Sequence, residues 1–122
     1  MGSVPAFLLK KLYVKGSLKN TATGFEFTIQ NTLAPGTIVD LGSLQVDGVT
    51  YQPEQVRVIL SDGRNVPATE VSAQSPMRFA VGDKVTVQVA GTPLSTGAHK
   101  LMLSPKTKEA GVLEISAEDT IA

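Results

Sequence analysis

Hydrophobic and polar residues alternate along most of this chain with a period of two. Gly24–Asn31 places aromatic and aliphatic residues at every second position with polar residues between them, and Lys84–Ala90 does the same with three valines. A period of two puts one face of a β-strand on a core and the other in water. No segment shows a convincing 3.6-residue period of an amphipathic helix, so we predict an all-β protein.

Turn-forming residues separate the alternating segments and set the bounds of the predicted strands. Asp47-Gly48 and Asp62-Gly63 supply the positive φ angles that tight hairpin turns need. Short strands with frequent turns are typical of an antiparallel β-sandwich, immunoglobulin-like or jelly-roll-like. The predicted strands are Leu9–Lys19, Gly24–Asn31, Thr37–Leu41, Leu44–Tyr51 (itself a hairpin), Gln55–Leu60, Arg78–Ala80, Lys84–Ala90, His99–Ser104 and Gly111–Ala117. The predicted core comprises Leu12, Phe25, Phe27, Ile29, Leu44, Val46, Val56, Val58, Val85, Val87, Leu101 and Leu103.

The length predicts one domain. The chain has 122 residues and no low-complexity linker, which fits a single β-sandwich over residues 1–122. We expect the two ends, residues 1–6 and 118–122, to fray. The sequence does not distinguish a native Met1-Gly2-Ser3 from an added one, so no prediction depends on these three residues.

Composition and charge exclude several classes of function. The chain has no Cys, one His, and 11 Lys and Arg against 11 Asp and Glu. Disulfides, thiolate zinc sites and multi-histidine metal cages are therefore excluded, and we predict no metal and no cofactor. A net charge of zero argues against nucleic-acid and membrane partners, and no apolar run is long enough to span a bilayer. We expect a cytoplasmic protein.

The single histidine, His99, is the one weak catalytic candidate. It could act as a general base or a lone metal ligand. A catalytic histidine needs an orienting carboxylate and a substrate pocket, and no local motif supplies either. G-x-S-x-G, Walker A and G-x-G-x-x-G patterns are also missing from the sequence. We therefore favour the alternative, in which His99 starts a strand and bonds the preceding turn, and we favour a non-enzyme over an enzyme.

A run of lysines near the N-terminus suggests an interface. On the predicted first strand, Lys11, Tyr13 and Lys15 share one face. Tyr13 and Tyr51 are the aromatic residues expected at the surface, so the candidate interface is Lys11, Tyr13, Lys15 and Tyr51. The alternative is a solvated strand face whose lysines protect an edge. Acidic residues gather late in the chain, so the first and last strands could pair with each other or with a neighbouring subunit.

Several motifs in the first half of the chain resemble a known family. The order G-S-L-K-N at residues 16–20, G-F-E-F at 24–27 and V-D-G at 46–48 is similar to the β subunit of C-glycoside deglycosidases. The resemblance covers about Leu12 to Tyr51, and residues after Tyr51 do not match. It implies a small, chiefly structural β-sandwich subunit beside a larger metal-dependent barrel subunit that carries the metal and the acid–base residues.

Similar short sequences also carry a hydroxymethylglutaryl-CoA reductase label. We do not expect that activity here, because the reaction needs a nicotinamide-binding site and a much larger substrate site than this β-rich chain supplies.

These observations favour a non-catalytic accessory or assembly subunit. It would form homo-oligomers or join a larger, by resemblance carbohydrate-active, enzyme. The first alternative is a module that binds a small molecule or a carbohydrate. The second is an enzyme built around His99.

Overall fold

The structure, a computed structural model, describes residues 5–122 apart from the side chain of Ala6. The described chain contains one short α-helix, three single 3₁₀ turns and thirteen short strands. The helix is α1 (Ala6–Leu9), and the 3₁₀ turns are Lys10–Leu12, Pro53–Gln55 and Ala68–Glu70. The strands are β1 (Lys19–Thr21), β2 (Gly24–Gln30), β3 (Gly36–Asp40), β4 (Leu44–Val46), β5 (Val49–Tyr51), β6 (Val56–Ile59), β7 (Asn65–Pro67), β8 (Met77–Phe79), β9 (Lys84–Ala90), β10 (Gly97–Leu103), β11 (Lys106–Thr107), β12 (Gly111–Val112) and β13 (Ile115–Ile121).

The strands form three antiparallel sheets around one apolar core. A five-stranded sheet has the order β1-β2-β9-β6-β7, and two four-stranded sheets have the orders β13-β10-β4-β5 and β12-β11-β3-β8. The predicted all-β fold of antiparallel strands is confirmed. Two packed sheets were expected, and the third is a small sheet of short strands that closes the core.

The register of the central strands follows the alternation in the sequence. In the β2–β9 pair, Phe25 faces Val89 and Phe27 faces Val87. Both phenylalanines have no exposed surface, since every second residue of each strand points to the same face. Of the predicted core residues, Leu103 alone is only partly buried.

The predicted strand Leu9–Lys19 is wrong, because this segment begins as a helical turn. The Leu8 and Leu9 N–H groups donate to the Pro5 carbonyl at 3.0 and 3.2 Å. Leu9 and Leu12 are both buried. Residues three apart lie on the same side of a helical turn, whereas in a strand they would face opposite sides. Burial of this pair therefore favours the helix.

The end of the chain also differs from the prediction. Gly111–Ala117 was expected to be one strand followed by a frayed tail, but β12 ends at Val112 and β13 continues to Ile121. β13 pairs with β10 along its whole length, from Ile115 opposite Leu103 to Ile121 opposite Gly97. The predicted fraying is therefore wrong for residues 118–121. Residues 1–4 lie outside the described part of the chain, and β11, with two residues, is too short for an alternating pattern to reveal.

Candidate functional site

His99 lies on β10 with both ring nitrogens engaged. Nδ1 lies 2.5 Å from Asp47 Oδ2, and Nε2 lies 2.7 Å from the Ser95 carbonyl oxygen. Both partners only accept hydrogen bonds, so both nitrogens carry protons in this geometry. The Ser95 carbonyl, and then the Asp47 carboxylate, raise the pKa of His99. The expected bond to the preceding turn is present, and neither nitrogen is free to accept a substrate proton.

Asp47 ties its own hairpin to β10. Asp47 and Gly48 form the β4–β5 turn with φ angles of +52° and +84°, which the Asp-Gly pair predicted. Asp47 Oδ1 accepts from the Lys100 N–H at 2.9 Å. The hydrogen bond from His99, and then the one from Lys100, lower the pKa of Asp47. Asp47 is therefore the carboxylate that orients the His99 ring. No local motif revealed it, because it lies 52 residues before His99 in the sequence.

A second polar cluster centres on Asp119, a buried residue of β13. Its Oδ2 accepts from the Tyr13 hydroxyl at 2.7 Å and from the Gly16 and Leu18 N–H groups at 2.9 and 3.2 Å. Burial alone would raise the pKa of Asp119, but the hydrogen bonds, led by the one from Tyr13, outweigh it and lower the pKa. Burial, and then the bond to Asp119, raise the pKa of Tyr13.

The Asp119 cluster holds the N-terminal segment against the last strand. Lys15 Nζ adds a bond of 2.7 Å to the Glu118 carbonyl. That bond runs to a main-chain carbonyl, and among the described residues no ion pair joins the N-terminal lysines to the late acidic residues. The alternative in which the first and last strands pair is wrong, since the N-terminal segment begins as a helical turn and β13 pairs with β10.

These contacts shape a groove of about 640 Å³ on the outer face of β13, β10 and β4. We call it the lysine groove, because Lys10, Lys15 and Lys100 line it together with one acid, Glu118. Lys100 Nζ lies 4.0 Å from Glu118 Oε2, and both side chains are more than half exposed. Such an exposed pair contributes little to stability.

Two further features are absent from the described residues. Within residues 5–122, no three His, Asp or Glu side chains stand close enough together to hold a metal ion. No described helix is long and apolar enough to cross a membrane.

Comparison with known families identifies the domain. The family described as hydroxymethylglutaryl-CoA reductase, N-terminal domain, matches residues 8–122. The chain belongs to this family. No curated protein matches it. The match agrees with the reductase label of similar short sequences, while the likeness to the deglycosidase β subunit stays a resemblance.

In this reductase N-terminal domain, the residues of the predicted interface do not form one surface. Tyr13 and Lys15 line the lysine groove, whereas Lys11 is exposed outside it. The expected exposure of Tyr13 is wrong, since only 7% of its surface is accessible. Tyr51 is half-buried and packs edge-on against the Phe25 ring at 5.4 Å. A carbohydrate-binding module would need exposed aromatic rings, and neither of the two tyrosines expected to provide them is fully exposed.

Proposed function

We propose that this domain is a non-catalytic assembly domain of a larger enzyme, and that the lysine groove contacts the catalytic part. The observation that carries the proposal is the convergence of three lysines on one sheet face in a chain of zero net charge. Lys10 comes from a 3₁₀ turn, Lys15 from the loop before β1, and Lys100 from β10.

The composition of the groove supports a protein partner. Met102, 37% exposed, lies in the groove with the lysines. An apolar centre with a polar rim is typical of protein interfaces, in which methionine is enriched. Opposite charges across an interface fix its register and speed association, so the partner surface should be acidic.

The family supports a covalently or non-covalently attached catalytic part. Its description names an N-terminal domain, which is a part of a larger protein. The deglycosidase resemblance suggests the same arrangement, a small β subunit beside a large catalytic one. The catalytic part of a hydroxymethylglutaryl-CoA reductase from the same organism is therefore the first partner to test.

The test compares two charge reversals of equal size. Lys15→Glu with Lys100→Glu changes the groove, and Lys84→Glu with Lys108→Glu changes exposed lysines that do not line it. We expect the groove variant to weaken binding to the catalytic part by about tenfold or more, and the control variant by less than about twofold. Biolayer interferometry at low and high salt measures both.

Three outcomes would overturn the proposal. The first is equal weakening by both double variants, which would place the contact elsewhere. The second is no binding of the unmodified domain to the catalytic part. The third is self-association, detected by light scattering, that the groove variant alone abolishes, because a second copy of this chain would then be the partner.

A further inference from the structure

A separate concave feature lies inside the molecule, where the three sheets meet. It is a cavity of about 200 Å³ lined mainly by aliphatic side chains, including Ile29, Ile38 and Val87. Of the lining residues, Ala34, Pro35 and Glu109 are also exposed to solvent. The cavity therefore opens between the loop before β3 and the turn between β11 and β12.

The buried polar side chains that line the cavity already have partners. Asn31 Nδ2 donates to the carbonyls of Phe79 and Ala34 at 2.7 and 2.9 Å, and its Oδ1 accepts from the Leu33 N–H at 3.1 Å. Thr107 Oγ1 donates to the Gly111 carbonyl and accepts from the Ala110 N–H. These groups have little bonding capacity left for a ligand, so the interior offers almost only apolar contact.

Glu109 places a carboxylate at the mouth. Its two oxygens accept from the Thr37 N–H at 2.9 Å and the Thr37 hydroxyl at 2.8 Å. These bonds hold the carboxylate beside the opening, next to the Lys108 cation. An anion entering the apolar interior would lose its hydration without gaining a partner. The cavity therefore discriminates against anionic ligands.

The size and lining of the cavity indicate what could fill it. An apolar cavity of about 150 Å³ lined by Leu, Ile and Phe stays dry and binds benzene. The present cavity is somewhat larger and also mainly apolar, but it opens to solvent beside Ala34, Pro35 and Glu109. An apolar molecule that fills it removes apolar side chains from water and adds packing contacts, so its binding is favourable.

We propose that this cavity is a binding site for a small neutral apolar molecule, of about the size of a benzene ring with one or two alkyl substituents. The ligand would enter beside Glu109 and contact Met77 and the aliphatic side chains of β2, β3 and β9. This site lies apart from the lysine groove and does not depend on the assembly role.

The methionines give an internal test. The chain has three, and one of them, Met77, lines the cavity while Met102 lines the lysine groove. We expect benzene and p-xylene to shift the Met77 methyl resonance saturably in a ¹³C-methyl-methionine NMR titration, and to leave Met102 unchanged. Benzoate, which has the same ring with a negative charge, should shift neither.

A matched pair of variants checks the location. Ala110→Leu adds volume at a residue that lines the cavity, and Ala98→Leu makes the same change at an exposed position on β10 that does not line it. We expect about tenfold weaker p-xylene binding for Ala110→Leu and no change for Ala98→Leu.

The proposal is overturned by an unmoved Met77 methyl, by equal shifts of Met77 and Met102, or by benzoate binding as tightly as benzene. Unchanged affinity in folded Ala110→Leu would also overturn it. If that variant does not fold, the comparison of Met77 with Met102 in the unmodified chain decides alone.

Discussion

Two single side chains, Asp119 and His99, connect parts of the chain that are far apart in sequence. Asp119 accepts a hydrogen bond from Tyr13, which lies 106 residues earlier in the sequence. His99 forms a hydrogen bond with Asp47, which lies 52 residues earlier. The sequence predicted the turn at Asp47 and the bond from His99 to its own turn, because both depend on neighbouring residues. It did not predict either long-range contact, since no spacing pattern encodes a partner on a distant strand.

The hydrogen bonds of the Asp119 carboxylate predict that replacing it by an amide of the same size lowers the stability substantially. Asp119→Asn would turn an NH₂ group or a single carbonyl oxygen toward three donors that now share Oδ2. We expect a loss of about 2–3 kcal/mol in the free energy of unfolding, since a charged acceptor and its buried donors are affected together. Urea denaturation measures the loss. The neighbouring exposed change Glu118→Gln should cost less than about 0.5 kcal/mol, and equal costs would contradict the role of Asp119.

At the scale of elements, strands were predictable where alternation was uninterrupted. β9 has the predicted bounds, and β2 ends one residue before its predicted end. The predicted strand ends at Ala117, four residues before the end of β13. The reason is that Asp119 occupies an inward position and breaks the apolar alternation between Ile115 and Ile121. The first predicted strand failed for a different reason. Its helical turn is too short to show a full 3.6-residue period, and tertiary packing of two leucines decides its conformation.

The N-terminal turn gives a prediction that separates helix from strand. In a strand, Phe7 and Leu9 would share one face and have similar burial. In the helical turn, Leu9 is 5% exposed and Phe7 is 66% exposed. We expect Leu9→Ala to cost about 2–3 kcal/mol in the free energy of unfolding and Phe7→Ala less than about 0.5 kcal/mol. Chemical denaturation checks this, and similar losses for the two variants would favour the strand.

At the scale of the whole molecule, overall composition concealed how the charges are arranged. The net charge of zero argued only against nucleic-acid and membrane partners, and the N-terminal lysine run suggested an interface. Folding adds what neither observation predicted, because it brings Lys100 beside Lys10 and Lys15 along one groove. Folding also buries one carboxylate and the single imidazole, each with hydrogen-bonded partners. Charge placement, unlike charge total, depends on strand order, which the sequence pattern did not determine.

The buried charges predict how the stability of the whole domain varies with pH. The pKa of His99 is raised in the folded state, so its contribution is fully present below about pH 6.5 and is lost as the pH rises through the folded pKa. The pKa values of Asp47 and Asp119 are lowered, so their contributions are present above about pH 4 and are lost as the pH falls further. The melting temperature should therefore be highest between these limits.

Two variants separate the acidic and basic sides of this profile. His99→Gln should remove most of the decline in melting temperature above about pH 6.5, because the glutamine side chain does not titrate. Asp119→Asn should weaken the decline below about pH 4 and leave the decline above pH 6.5 in place, since Asp119 does not contact His99. Calorimetry from about pH 3 to about pH 9 measures both. A wild-type domain that becomes more stable from pH 6 to pH 8 would show that His99 is not held as an imidazolium between Asp47 and Ser95.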